Sequence, residues 1–98
     1  MKKALIVVDM QKDFVDGSLG TPAAQSIVPA VAEKIRAFRG DALLVTLDTH
    51  GADYLQTLEG KKLPIPHCIK GTPGHALHSE IQAVLSGKPH TLVEKNTF

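Results

Sequence analysis

Residues 43–60 read Leu43-Leu44-Val45-Thr46-Leu47-Asp48-Thr49-His50-Gly51-Ala52-Asp53-Tyr54-Leu55-Gln56-Thr57-Leu58-Glu59-Gly60. An apolar, β-branched run ends abruptly in Asp48, one spacer and His50, with Glu59 further along the same polar stretch. A near-continuous apolar run of this length is how a strand buried on both faces of a parallel sheet reads. The strand repeat of two residues then puts the Asp48 and His50 side chains on one face at the strand's carboxyl end. A loop needs turn formers, but it does not need a carboxylate and an imidazole side by side.

Working outward, two further apolar, β-branched runs stand out: Ala4–Val8, which is also nearly continuous, and the shorter Thr91–Glu94. Helical periodicity separates the three. Val28, Val31, Ile35 and Phe38 fall on one face, with Ser26 as a plausible N-cap, Pro29 tolerable in the first turn and Gly40 as the stop. Leu77, Ile81, Val84 and Leu85 mark a second helix that opens near Thr72-Pro73 and ends at Gly87 and Pro89. The order β-α-β-loop-α-β predicts an α/β fold with a parallel sheet and right-handed crossovers. Two long connections remain, about residues 10–25 and 48–72, and long connections of this kind are usually functional or disordered. The sequence holds no helix to cover the third strand, so the chain is expected to be half of a larger domain or to need a partner.

The composition narrows the function. With 98 residues there is one domain at most, and with 43% hydrophobic residues and a formal net charge of +1 it reads as an ordinary globular chain. The scattered basic residues predict no nucleic-acid partner. No stretch approaches the roughly 20 apolar residues of a membrane span. The opening Met1–Met10 has two lysines before an apolar run, but the run is too short for a secretory segment of roughly 7–15 apolar residues and reads as a strand. Cys68 is the single cysteine, which excludes an intrachain disulfide and fits a reducing cytoplasm.

In open α/β sheets ligands bind beyond the carboxyl ends of the strands. Asp9, Asp48 with His50, and Lys95 each follow one of the three strands. Taken singly, Asp9 is as well a cap or turn former and Lys95 a solvated end residue; their joint placement at one rim gives them weight. Asp48 and His50, completed by Glu59 and His67 from the same long loop, make a donor set of two imidazoles and two carboxylates. Such a set suits Zn²⁺, Mn²⁺ or Fe²⁺ better than Ca²⁺, which prefers all-oxygen ligands, while structural zinc more often uses cysteines. The competing reading is a hydrogen-bonded loop in which Asp48 caps and His50 packs. His75 and His78 read as the solvated face of the second helix, His90 as a turn residue and Cys68 as a small buried hydrophobe.

These residues resemble a known family. "LIVVDMQKDF", "TLDTH", "EG", "PHCIKGTPG" and "VEKNTF" are similar, in that order, to motifs of the isochorismatase-like cysteine hydrolases, nicotinamidase-like branch, and the resemblance runs from about residue 4 to residue 98. It implies a three-layer α/β sandwich with a parallel sheet, of which residues 1–98 form the N-terminal part. It implies a Cys-Asp-Lys catalytic triad in which Asp9 takes the thiol proton and Lys95 stabilises the thiolate. Phe14 would pack on the substrate ring, and Asp48, His50, Glu59 and His67 would hold a divalent metal, zinc foremost, that orients the ring. The implied substrate is a small-molecule amide such as nicotinamide. The nucleophilic cysteine is expected beyond this chain, since Cys68 does not match it, so the 98-residue chain alone is expected to be inactive. A homo-oligomer, or pairing with the C-terminal half, is expected to cover the open edge. The alternative is a non-catalytic truncated or split paralogue that binds metal or pairs with another subunit.

Overall fold

The computed structural model describes residues 2–95; the last three residues of the "VEKNTF" motif lie outside them. Three strands, β1 (Ala4–Val8), β2 (Ala42–Asp48) and β3 (Thr91–Lys95), form one parallel sheet in the order β1-β2-β3. The register pairs Val8 with Thr46 and Asp48 with Lys95. Four helices accompany it: α1 (Lys12–Val15), α2 (Pro22–Ala37), α3 (Leu58–Lys62) and α4 (Ser79–Leu85). Because β1, β2 and β3 lie in sequential order, right-handed crossovers send α2 and α4 to the same face, where the two helices pack together.

The alternation along the strands places the core. Val7 of β1 and Leu43, Val45 and Leu47 of β2 point to the helix side. There they are buried with Val28, Ala32 and Ile35 of α2 and Ile81 and Leu85 of α4. Each fully buried aliphatic side chain contributes about 1.5–3 kcal/mol relative to an exposed one. The opposite face carries Ile6 at 56% and Val8 at 60% exposure, with Val93 of β3 at 42%. The expectation that the first two strands are buried on both faces therefore holds for one face only. Among the described residues, a sheet and one helical layer account for two of the three expected layers.

The helix starts differ from the expectation. α2 begins at Pro22, capped by Thr21, whose hydroxyl oxygen accepts the Ala24 N–H at 3.0 Å. The Ser26 hydroxyl instead donates to the Ala23 carbonyl, so Pro29 lies in the helix interior rather than the first turn. Thr72-Pro73 opens only a 3₁₀ turn, Pro73–His75; α4 starts at Ser79, with the His78 ring nitrogen accepting the Glu80 N–H. The long connections also carry structure of their own: α1, a 3₁₀ turn at Tyr54–Gln56, and α3 capped by Thr57.

Candidate metal centre and the adjoining carboxylate–ammonium pair

β1 leaves the sheet at Asp9, whose φ of 53° is in the left-handed region that few non-glycine residues adopt. That turn is held by Thr46 of the neighbouring strand. The Asp9 N–H donates to the Thr46 carbonyl, and the Thr46 hydroxyl donates to Asp9 Oδ1 at 2.8 Å. The other carboxylate oxygen, Oδ2, receives Lys95 Nζ at 2.8 Å. Lys95 Nζ also lies 4.0 Å from Asp48 Oδ1. Burial pulls the Lys95 pKa down, but the hydrogen bond to Asp9 and the charges of Asp9 and Asp48 outweigh it and leave a net rise. The ammonium form is therefore favoured.

Asp48 ends β2, and the chain continues to His50, which bridges to Ile69 and brings the 67–69 segment alongside. Asp48, His50 and His67 are buried, and Glu59, from α3, is half-buried. Each of the four offers a ligand atom, and these atoms all lie within 4.8 Å of one another. His50 Nε2 is 3.1 Å from Asp48 Oδ2 and 3.3 Å from Glu59 Oε2. His67 Nε2 is 3.5 and 3.9 Å from the same two oxygens. Metal bonds of about 2.0–2.2 Å in tetrahedral geometry would separate ligand atoms by about 3.3–3.6 Å, near the four imidazole–carboxylate separations of 3.1 to 3.9 Å.

Two features of the cluster suit a bound cation. Glu59 Oε2 is buried with no hydrogen-bond partner among the described residues, and an orphaned buried carboxylate oxygen is costly. His67 Nδ1 faces the Ile65 carbonyl at 2.8 Å. A carbonyl only accepts, so a proton sits on Nδ1, and a neutral ring would then turn its Nε2 lone pair to the carboxylates, as an Nε2 metal ligand does. His50 Nε2 is also within hydrogen-bond distance of Asp48 Oδ2, the contact a hydrogen-bonded loop would make.

The surroundings hold the cluster in place. Tyr54 packs edge-on to both imidazoles, with ring centroids 4.7 Å from His50 and 5.0 Å from His67. Its hydroxyl donates to the Leu63 carbonyl, and burial, then the charges of Glu59 and Asp48, push its pKa up. Phe14 lies edge-on to His67 at 5.4 Å. Asp13 Oδ2 accepts the Cys68 N–H at 2.8 Å, fixing the residue after His67 in a left-handed turn with φ 50°. Gly74 lets Asp13 come this close, since a Cβ there would collide with the Asp13 carboxylate.

The Cys68 thiol is fully buried, as expected, and its pKa is pushed up to about 12 by burial and then by Asp48, Asp13 and Asp9, against the opposing Lys95. A thiol of that kind is no activated nucleophile. His75 and His78 are not simply solvated. The His75 ring bonds the Thr49 hydroxyl at 2.8 Å, and His78 caps α4. Tyr54, Asp13, Thr46 and Gln11 escaped the sequence reading. Their only signal was position: Gln11 and Asp13 lie at alternate places after Asp9, and Tyr54 one helical turn beyond His50.

Comparison with known proteins places this chain in a family. Residues 3–98 match the isochorismatase domain, and the chain belongs to that family of hydrolases. It is 31% identical over 84 residues to the nicotinamidase/pyrazinamidase of Mycobacterium tuberculosis, covering 81% of this chain and 45% of that protein. The crystal structure of nicotinamidase/pyrazinamidase PncA from Bacillus subtilis superposes with a TM-score of 0.81 at 31% identity, over 98% of this chain and 57% of that one. The pyrazinamidase of Pyrococcus horikoshii in complex with zinc superposes with a TM-score of 0.67, also at 31% identity, over 97% and 52%. The chain spans about half the length of the curated relatives it matches, 51% and 45%.

Proposed function

We propose that this chain supplies the metal centre and the carboxylate–ammonium pair of a metal-assisted cysteine amidohydrolase of the nicotinamidase type. Its reaction would take nicotinamide to nicotinate and ammonia, with the nucleophilic cysteine outside these 98 residues. The observation that carries the reading is the joint placement at one sheet rim of a four-residue donor cluster and the Asp9–Lys95 pair, whose ammonium lies 4.0 Å from Asp48. Asp48, His50, Glu59 and His67 would hold the ion, zinc in this proposal, with manganese or iron suited to the same donors. When bound, the metal would orient the substrate by its ring nitrogen.

The chain's own residues would supply the cation, the base and a ring contact. Lys95, held protonated by Asp9, presents a positive charge that favours a nearby thiolate. Asp9, oriented by Thr46 and Lys95, would take the thiol proton. Phe14, which packs edge-on to His67, would pack on the substrate ring. The thiolate would attack the carboxamide carbon, ammonia would leave, and water would release the acid from the thioester. The reading includes a cytoplasmic location, in keeping with a single cysteine. No helix among the described residues is long and apolar enough to cross a membrane.

Equilibrium dialysis against zinc is expected to give one ion per chain, lost in Asp48→Ala and in His67→Ala. A chain that takes up no metal sinks the proposal. Ammonia release from nicotinamide is expected from a polypeptide that extends past residue 98 to the cysteine, and not from the 98 residues alone. Turnover by the short chain would make Cys68 the nucleophile after all. The bare sheet face at Ile6 and Val8 favours a second reading, a metal-binding module that pairs with another subunit. An extended polypeptide that binds zinc and releases no ammonia would select it.

A further inference from the structure

Gln11 is fully buried, yet every hydrogen bond of its side chain goes to backbone. Nε2 donates to the Asp48 carbonyl and to the His75 carbonyl, each at 2.8 Å, and Oε1 accepts the Asp48 N–H at 2.9 Å. Both amide hydrogens are used, so the cost of burying the group is met. The β1–β2 ladder stops at Val8 and Thr46, because Asp9 turns the chain away. Asp48 lies two residues beyond that end. There the Gln11 amide pairs with both the N–H and the C=O of Asp48, as a neighbouring strand would. On its other side Asp48 is in register with Lys95.

Gln11 is itself pinned. Lys12 N–H donates to the Ala76 carbonyl and His78 N–H to the Met10 carbonyl, each at 2.8 Å, so residues 10–12 run antiparallel to residues 76–78. We infer that Gln11 is a positioning residue for the metal centre: it holds the two peptide planes that flank the Asp48 Cα and so aims the Asp48 carboxylate at His50 and His67. This rests on the metal reading above and adds to it a residue that is no ligand. The Asp48–Thr49 peptide is also held from β3, where the Thr49 N–H donates to the Lys95 carbonyl at 2.7 Å, but on the β1 side the Asp48 N–H and C=O have Gln11 alone, and without it that side can rotate and swing the Cβ. A ligand carboxylate tolerates about 0.5 Å of misplacement, and bonding partners of ligands are commonly worth 10–100-fold in metal affinity.

The test is a cobalt titration of the 98-residue chain, read by the visible absorption of the ion and by zinc competition. Variants are Gln11→Met, which keeps shape without the bonds, Gln11→Asn, which is too short to make them all, and Ile81→Val, a core control. Gln11→Met and Gln11→Asn are expected to weaken cobalt and zinc at least 10-fold and to change the cobalt spectrum. In the metal-free state Gln11→Met is expected to lose hydrogen-exchange protection at the Asp48 amide. Ile81→Val is expected to lower the melting temperature with affinity and spectrum unchanged. Unchanged affinity and spectrum in the Gln11 variants, with tight binding by the unsubstituted chain, overturn the inference and leave the metal centre standing. No cobalt binding by the unsubstituted chain overturns both. If neither Gln11 variant folds even at saturating metal while Ile81→Val does, Gln11 serves the fold rather than the centre and the inference fails.

Discussion

Asp48 and Cys68 lie at the same rim and show how burial assigns opposite roles. Asp48 stands in a ring of donors that an ion would unite; Cys68 sits among carboxylates that disfavour its thiolate. In the metal-free chain, iodoacetamide at neutral pH is therefore expected to leave Cys68 unmodified in the folded state and to alkylate it at once in denaturant; mass spectrometry decides. Linkage gives a second outcome. The folded-state thiol titrates near 12 and the unfolded one near its ordinary 9.0. Between those values the unfolded chain has lost a proton that the folded chain keeps, so stability falls as pH rises. Urea midpoints of the metal-free chain should decline above about pH 9, and Cys68→Ala should flatten that decline. An equal decline in the alanine variant would contradict the burial argument.

Among the elements, α2 shows what sequence periodicity misses. Its apolar stripe starts at Val28, a turn and more after the helix itself starts, because the first turns face outward and are marked only by Thr21 and Pro22. Thr21→Ala removes the bond to the Ala24 N–H and is expected to cost about 0.5–2 kcal/mol. Ser26→Ala, which removes only a bond back to Ala23, should fall within about 0.5 kcal/mol of no change. Chemical denaturation of the two variants reads the difference, and the reverse order would restore Ser26 as the cap. The strand ends were easier to read. An Asp-x-His at the end of an apolar run has one geometrical meaning in a parallel sheet, and Asp48 and His50 do meet in space. Glu59 and His67 were found by composition in the same loop. Gln11, Asp13 and Thr46 were not, because they act on backbone groups or one carboxylate and leave no periodic trace.

For the whole molecule the consequential feature is the bare side of the sheet. Ile6, Val8 and Val93 form an exposed apolar surface on a chain that spans about half the length of its curated relatives. Surfaces of this kind bind apolar probes and promote association. The folded chain is expected to enhance the fluorescence of anilinonaphthalene sulfonate and to sediment faster as concentration rises. The double variant Ile6→Thr, Val8→Thr should reduce both with little loss of stability. An unsubstituted chain that stays monomeric and dark to the dye would show this face to be inert.

The sequence by itself determined the order of elements along the chain, the parallel class and the rim at which Asp9, Asp48, His50 and Lys95 collect, because strand periodicity and crossover handedness are local rules. Only the tertiary structure decided which imidazole lone pairs converge on which carboxylates, that Cys68 is held protonated, and that Gln11 continues the sheet ladder across to Asp48. Those depend on contacts between segments far apart in the chain, whose distances no pattern of neighbouring residues encodes.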